Sequence, residues 1–345
     1  MADGSAEVVV ITGASAGVGR AAAREFAKHG CKVALLARGR KGLESAARDV
    51  EEAGGEALII PTDVADYEAV EHAADEAVGR FGRIDIWVNN AFAGIFSRFM
   101  DMSLEEFRRV TDVTYFGQVH GTRAALKHML PRDRGTIVLI GSALAYRGIP
   151  LQSAYCAAKH ALQGFQDSLR VELLAMDSHV RLTMVQLPGV NTPQFDWIRA
   201  HTKCTPRPVG AIYQPEVAAR AIWKAAHSSR KEWIVGSPAY QAIVSDKLAS
   251  PLLDQQLARG NIEAQQDPQP LAPDRKDNLF EPVDDAEDHG AHGRFDESSR
   301  TRSPLLWVSE NRGWIAAGAV LALGAGLVAA RLGGGGEKYG HSTHA

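Results

Sequence analysis

Cysteine, aromatic side chains and net charge are all scarce in this sequence of 345 residues. The three cysteines, Cys31, Cys156 and Cys204, are widely spaced and form no CxxC pair, so neither a disulfide framework nor a zinc site is supported. The histidine pairs near the C-terminus stand in polar stretches without further ligands, and no metal site is predicted. The net charge is −3, which gives no indication of nucleic acid as a partner.

Apolar residues are plentiful, at 45% of the chain, and they recur in short runs between longer alanine-rich stretches of helical period. Continuous apolar strands that alternate with helices indicate a parallel sheet covered on both faces. The sequence therefore predicts an α/β fold, with a doubly wound, seven-stranded parallel sheet and ligands at the carboxyl ends of its strands. The seven predicted strands are 7–11, 32–37, 57–61, 84–89, 136–140, 181–186 and 232–236.

A glycine-rich stretch, TGASAGVG at 12–19, follows the first predicted strand. Glycines between a strand and a helix permit a tight turn and a close approach of the backbone to a pyrophosphate at the helix N-terminus. Because the stretch stands in this position, it predicts a dinucleotide site. The predicted cofactor-binding residues of the turn are Gly13, Ser15, Gly17, Val18 and Gly19.

Basic residues follow the second predicted strand. An NAD site normally places a carboxylate at this strand end, where it bonds the ribose 2′-hydroxyl. Here the position is Ala37, followed by Arg38, with Arg40 and Lys41 close by. Because a guanidinium binds phosphate bidentately, NADP(H) is favoured over NAD(H). The alternative is that these residues simply begin a basic surface helix.

The third and fourth strands also end in polar residues. Asp63 follows the third strand, where it can accept a hydrogen bond from an adenine amino group, or belong with Asp66 to a helix cap. Asn89 and Asn90 end the fourth strand, and their amide groups are offered at the same edge of the sheet.

Three polar residues follow the fifth strand. Ser142 lies directly past its end, and Tyr155 and Lys159 follow within a stretch of high helix propensity. Residues four apart share one helix face, so the phenol and the ammonium can converge on one point. A nearby ammonium favours the phenolate, which suits a proton-transfer role.

Taken in order, these motifs resemble the short-chain dehydrogenase/reductase family in its single-domain Rossmann form, over residues 7 to about 258. The resemblance rests on TGASAGVG, the Asp63–Val64 pair, NNA at 89–91, Ser142, the YCAAK pentad and LPGVNT at 187–192. It implies helices on both faces of the sheet, and hydride transfer between NADP(H) and a carbonyl or secondary alcohol. A homo-oligomer is also expected. The further cofactor-binding residues that the resemblance implies are Val64, Asn90, Pro188, Gly189 and Thr192.

The resemblance also implies a role for each catalytic residue. Tyr155 is the general acid and base, Lys159 lowers its pKa and binds the nicotinamide ribose, and Ser142 orients the substrate oxygen. Thr114 stands where the family has an asparagine that supports a water next to the lysine, and Phe92 replaces a family glycine. The alternative to an enzyme is a non-catalytic dinucleotide-binding sensor or scaffold.

The substrate is predicted less sharply than the cofactor. A long segment after the sixth strand carries Phe195 and Trp197, which with Phe92, Phe96, Leu144 and Tyr146 can line an apolar pocket. A lipophilic ketone or secondary alcohol is therefore favoured. The alternative is that some of these side chains only pack the segment itself.

Composition changes sharply after the last predicted strand. Between Glu263 and Pro304 there are eleven acidic and five basic residues and few apolar ones, which predicts a disordered linker. The uncharged run at 314–330 then predicts a membrane helix. The predicted organisation is a cofactor-binding catalytic domain at 1–258, an acidic proline-containing linker at 259–306, a transmembrane helix at 307–331 and a polar tail at 332–345.

Flanking charges give a predicted orientation for this helix. More arginines precede the uncharged run than follow it, which places the catalytic domain on the cytoplasmic side of a membrane. The alternative localisation is cytoplasmic, without an anchor.

Overall fold

The computed structural model describes residues 6–312, and the chain up to Ser303 forms one compact unit. A helical segment at 304–312 belongs to a second unit. Within residues 6–312, no helix is both long and apolar enough to cross a membrane. The apolar run at 314–330 and the tail at 332–345 lie outside the described residues, so the membrane helix stays a prediction.

A parallel sheet of seven strands forms the centre of the first unit, in the order β12-β7-β6-β4-β1-β2-β3. The strands of the chain are β1 (Val8–Thr12), β2 (Lys32–Ala37), β3 (Glu56–Pro61), β4 (Ile86–Asn89), β5 (Ile95–Phe96), β6 (Thr136–Ser142), β7 (Arg181–Leu187), β8 (Gly189–Val190), β9 (Arg199–Ala200), β10 (Cys204–Pro206), β11 (Ile212–Tyr213), β12 (Glu232–Ile234), β13 (Gln266–Pro270) and β14 (Ser299–Arg300). Each of the seven predicted strands corresponds to one strand of this sheet, and the predicted α/β architecture is confirmed.

Helices cover the sheet and alternate with its strands. They are α1 (Gly17–Ala27), α2 (Arg40–Glu52), α3 (Tyr67–Phe81), α4 (Leu104–Thr111), α5 (Gly117–Met129), α6 (Ser153–Ala175), α7 (Gln194–Trp197), α8 (Pro215–Ala226) and α9 (Ser237–Ala264). Val8 and Val10 of β1 lie in one apolar cluster with side chains of α3, α5 and α6. All five residues of β1 are buried, and α1, which contacts β1, also packs against α8.

The segment at 259–306 departs from the prediction of a disordered linker, which is wrong. Helix α9 continues to Ala264, β13 pairs with β10, and Leu279 is completely buried in the core. Hydrogen bonds and ion pairs compensate for the low apolar content of the segment. The Arg275 guanidinium, for example, donates to three backbone carbonyls within residues 195–198. The first unit therefore extends well past the predicted boundary at 258.

Candidate active site

A cavity of about 580 Å³ lies at the carboxyl ends of the central strands. Most of the predicted site residues line it, namely Gly13, Ser15, Gly17, Val18, Arg38, Asp63, Val64, Asn90, Ser142, Tyr155, Lys159, Pro188, Gly189 and Thr192. Gly19 and Thr114 are absent from its lining. The fold thus brings residues from six loops to one place, as expected for parallel strands that end at the same edge.

The glycine-rich turn owes its shape to close backbone packing. Gly13 has a φ of +65°, and a Cβ atom there would lie 2.9 Å from the Ala91 Cα. A Cβ atom on Gly19 would lie 2.1 Å from the Gly13 carbonyl oxygen, so Gly19 closes the turn from behind. The Asn90 side-chain amide donates to the carbonyls of Thr12 and Gly13, at 2.9 and 3.1 Å.

Thr12 is a positioning residue that the sequence analysis missed. Its hydroxyl oxygen accepts the backbone N–H groups of Asn90 and Ala91, at 2.9 and 3.0 Å. It therefore ties the end of β1 to the loop after β4. Its only signal in the sequence is the threonine that opens TGASAGVG, directly before the first glycine.

Ser142, Tyr155 and Lys159 meet at the end of β6. Lys159 is 1% exposed, and its ammonium donates to the Ile140 carbonyl at 2.6 Å. The ammonium nitrogen lies 5.5 Å from the centre of the Tyr155 ring. The Ser142 hydroxyl oxygen accepts the Leu144 N–H at 3.1 Å, and the hydroxyl can still donate its own hydrogen.

Burial dominates the acid–base behaviour of this group. Burial raises the pKa of Tyr155 above its ordinary value, and a hydrogen bond with Ser142 opposes part of that increase. Burial also lowers the pKa of Lys159 to about 7. Burial thus acts against the lowering of the Tyr155 pKa that the resemblance implies for Lys159, and that lowering stays a prediction. At neutral pH the phenol is protonated.

Thr114 does not act on Lys159 directly. It lies in a π-helical turn, Asp112–Phe116, between α4 and α5, and it is completely buried. Its hydroxyl donates to the Ala93 carbonyl at 2.7 Å and accepts the Ala93 N–H at 2.9 Å. These two bonds hold the loop after β4 in place, so Thr114 is a positioning residue for that loop. Its predicted role next to the lysine stays a prediction.

Apolar side chains form the other half of the cavity. Of the six residues predicted for this pocket, five line it, namely Phe92, Phe96, Leu144, Phe195 and Trp197. The prediction is wrong for Tyr146, whose hydroxyl instead donates to the Glu232 carboxylate. Helix α9 contributes Leu253, Gln256, Leu257 and Asn261, which the sequence analysis missed.

The segment between β7 and α8 is joined to the late part of the chain. Phe195 is buried, and its ring packs edge-on against Phe295 with the ring centres 5.6 Å apart. Asn191 accepts the Phe295 N–H through its side-chain oxygen at 3.0 Å. The wall of the apolar pocket therefore depends on residues about 100 positions further along the chain.

At the other end of the cavity, Arg38 is already engaged by the chain itself. Its guanidinium donates to the carbonyl of Phe280 at 2.6 Å and to that of Asn278. Asp63 pairs with Arg109 at 2.5 Å, and Arg109 was not predicted. Asp66, not Asp63, caps the N-terminus of α3, because its carboxylate accepts the Ala69 N–H at 3.2 Å.

The architecture defines the class of protein first. A glycine-rich turn after the first strand of a doubly wound sheet is characteristic of dinucleotide-binding Rossmann folds. The family model described as short chain dehydrogenase matches residues 7–203, more than half of the chain. The chain therefore belongs to the short-chain dehydrogenase family of oxidoreductases.

Two relatives illustrate the similarity. The uncharacterized oxidoreductase YxnA of Bacillus subtilis is 33% identical over 327 residues, which cover 94% of this chain and 89% of YxnA. Human dehydrogenase/reductase SDR family member 7 is 40% identical over 170 residues, covering 48% of this chain and 50% of that protein.

Solved structures are similar over the catalytic part. A metagenomic short-chain oxidoreductase in complex with NADP has a TM-score of 0.56 and 29% identity, covering 66% of this chain and 96% of its own. An alcohol dehydrogenase from Thermococcus sibiricus, complexed with 5-hydroxy-NADP, has a TM-score of 0.58 and 28% identity, covering 67% of this chain and 96% of its own. About a third of the present chain has no counterpart in either.

Proposed function

We propose that this protein is an NADP(H)-dependent oxidoreductase that interconverts a carbonyl compound and a secondary alcohol. The proposal is carried by one observation: Ser142, Tyr155 and Lys159 line the same cavity as the glycine-rich turn. A proton donor and a dinucleotide site within one cavity are what hydride transfer to a carbonyl requires.

The residues around the cavity suit a nicotinamide dinucleotide. The glycine-rich turn lines the cavity at the N-terminus of α1, where a pyrophosphate would be held. Asp63, Val64 and Asn90 would border the adenosine part, and residues 188–192 the nicotinamide part. NADP(H) is supported by Arg38 at the end of β2 and by two structural neighbours complexed with NADP or 5-hydroxy-NADP.

The chemistry divides among three side chains. The bound cofactor supplies the hydride. Tyr155 gives its proton to the carbonyl oxygen, and its raised pKa keeps the phenol protonated at neutral pH, as reduction requires. Ser142 donates its hydroxyl hydrogen to the same oxygen, and Lys159 in its charged form stabilises the phenolate that remains. Two further N–H groups of Lys159 are available to ribose hydroxyls.

The proposed substrate is lipophilic. Phe92, Leu144 and Trp197 present apolar surface to the cavity, and Phe92 packs edge-on against Tyr155 with the ring centres 5.9 Å apart. A substrate carbonyl at Tyr155 would therefore have aromatic surface beside it, which favours a compound with an apolar body.

A panel of ketones and secondary alcohols of increasing apolar size tests the proposal, with NADPH, NADP⁺, NADH and NAD⁺, followed by the absorbance of the reduced nicotinamide. We expect reduction of at least one apolar ketone with NADPH. Binding of cofactor without turnover of any compound would instead support the alternative of a dinucleotide-binding sensor or scaffold.

We also propose that the protein is a membrane-associated homo-oligomer. Exposed apolar side chains on α6, Val171 and Leu174, support self-association of this face.

The apolar run at 314–330 supports a membrane anchor with the catalytic domain on the cytoplasmic side. Full-length protein should stay with membranes through an alkaline wash, and sedimentation in detergent should give more than one subunit. Release by the wash would contradict the anchor.

A further inference from the structure

Residues 278–290, called the strap below, cross the carboxyl edge of the sheet. The Gly290 carbonyl accepts the N–H of Gly17, the first residue of α1, at 3.1 Å. Two residues earlier, the Asp288 carboxylate pairs with Arg20, whose side chain is only 7% exposed. The strap is therefore anchored beside the N-terminus of α1, next to the glycine-rich turn.

The strap also provides the acceptors for the first turn of α2. Gly39 precedes this helix and has no side chain with which to cap it. The Asp284 carbonyl accepts the Gly42 N–H at 2.9 Å, and the Asp285 carboxylate accepts the Arg40 N–H at 3.1 Å. Carboxylates are stabilised at this end of a helix, where the N–H groups carry positive partial charge.

The carboxylate of Asp284 is lodged in the space that two glycines leave. A methyl group on Gly39 would lie 1.9 Å from one of its oxygens, and a methyl group on Gly42 would lie 2.7 Å from the other. The same methyl on Gly42 would lie 2.8 Å from the Cβ of Ser15. The carboxylate therefore stands against the start of α2 and beside the glycine-rich turn, and Asp284 lines the cavity.

Arg38 completes this arrangement. Its guanidinium donates to the carbonyls of Asn278 and Phe280, at the beginning of the strap. The groups expected to hold a 2′-phosphate, Arg38 and the start of α2, are thus satisfied by oxygen atoms of the strap. An anion from the cofactor and the strap would compete for the same donors.

We propose that Asp284 determines the relative affinity of the enzyme for cofactors that carry a 2′-phosphate or a 2′-hydroxyl. Its carboxylate holds the anion position beside Arg38 and the first turn of α2, so a 2′-phosphate has to displace it. A 2′-hydroxyl can instead donate a hydrogen bond to it. This inference deepens the dinucleotide use proposed above and rests on it, but it does not depend on turnover.

Direct binding to full-length protein tests the inference. Dissociation constants are measured by calorimetry for NADPH, NADH and adenosine 2′,5′-bisphosphate, with wild type and Asp284→Asn. We expect the variant to bind NADPH and the bisphosphate about tenfold more tightly, since the competing charge is gone. NADH should change by less than about threefold, because the amide oxygen still accepts from a hydroxyl.

Two further variants serve as controls. Glu287→Gln removes an equal charge from an exposed position three residues further along the strap and should leave all three constants nearly unchanged. Asp284→Glu keeps the charge and should keep the wild-type ratio of NADPH to NADH affinity. Retained NADH affinity in Asp284→Asn shows that the site is folded.

The outcomes separate this inference from the proposed cofactor preference. If wild type prefers NADH and Asp284→Asn shifts the preference towards NADPH, the inference stands and the NADP(H) preference is wrong. If Asp284→Asn tightens both cofactors equally, or changes neither, or if Glu287→Gln has the same effect, the role of Asp284 is refuted.

Discussion

The two ends of the cavity hold their charged residues in different ways. At the Tyr155 end, Lys159 donates to a carbonyl of the adjacent strand, and the partners lie within twenty positions of one another. At the Arg38 end, the guanidinium donates to carbonyls about 240 positions away. The first end is therefore built by a local unit of strand and helix, and the second by a late segment that returns to the sheet.

The charges at the two ends also respond differently to pH. Burial lowers the pKa of Lys159 to about 7, so its charge is lost within the neutral range. Burial lowers the pKa of Arg38 as well, with Asp63 and Asp284 among the groups that oppose the change, yet a guanidinium stays charged at any ordinary pH. The charge at the Tyr155 end is thus sensitive to pH, and the charge at the Arg38 end is not.

The largest expected effect is at the Tyr155 end. Tyr155→Phe removes the proton donor, and we expect kcat for ketone reduction to fall by about 100-fold or more. The affinity for NADPH should change little, because the ring is retained. Tyr146→Phe is the matched control, since Tyr146 does not line the cavity and bonds Glu232. Equal turnover by Tyr155→Phe and wild type would remove Tyr155 from the mechanism.

A smaller effect is expected at the Arg38 end. Arg38→Gln should weaken NADPH binding by roughly 1.5–3 kcal/mol, the value of a charge-assisted hydrogen bond, and weaken NADH much less. Calorimetric titration measures both. Arg48→Gln, at an exposed position of α2, provides the control. Unchanged NADPH affinity in Arg38→Gln would mean that other groups bind the phosphate.

The contrast in pH response gives the third prediction. The Lys159 ammonium is present below pH 7 and is lost above it, because its pKa lies at about 7. We expect kcat/KM for reduction to fall roughly tenfold between about pH 6 and about pH 8. In Lys159→Arg, kcat/KM should not change with pH over this range, because a guanidinium stays charged, even if its absolute value differs from that of wild type. A flat wild-type profile would show that the charge of Lys159 is not required.

The smallest effect is expected for Thr114, which supports the Tyr155 end from behind. Thr114→Val leaves the N–H and the carbonyl of Ala93 without their partner, at a cost of about 1–3 kcal/mol in the free energy of unfolding. Thr114→Ser keeps the hydroxyl and should cost less. Urea denaturation compares the two, and equal stability of Thr114→Val and wild type would contradict the positioning role.

The same contrast explains what could be predicted from the sequence. Strands such as β1 and β6 consist largely of consecutive apolar residues, which is typical of strands buried on both faces. The strands of the sheet could therefore be predicted from the sequence. Ser142, Tyr155 and Lys159 are joined by one strand and one helix, whose geometry fixes their approach. Local periodicity was therefore sufficient to predict which residues meet at the Tyr155 end of the cavity.

The strap could not be predicted in this way. Its contacts with Arg38, Gly42 and Gly17 are made by backbone carbonyls, which every residue possesses and which therefore leave no trace in the sequence. Its acidic side chains are equally compatible with a solvated linker. Likewise, the π-helical turn that directs Thr114 towards Ala93 has no distinctive residue pattern.

The link between Phe295 and Phe195 has a consequence for the order of binding. Only five positions separate Phe295 from Gly290, which bonds the start of α1, so a short piece of chain joins the two ends of the cavity. A nucleotide that moved the strap would therefore also move the Phe195 wall of the apolar pocket proposed for the substrate. Steady-state kinetics should therefore be compulsory-ordered, with the nucleotide entering first and leaving last, and its release should limit the rate of turnover.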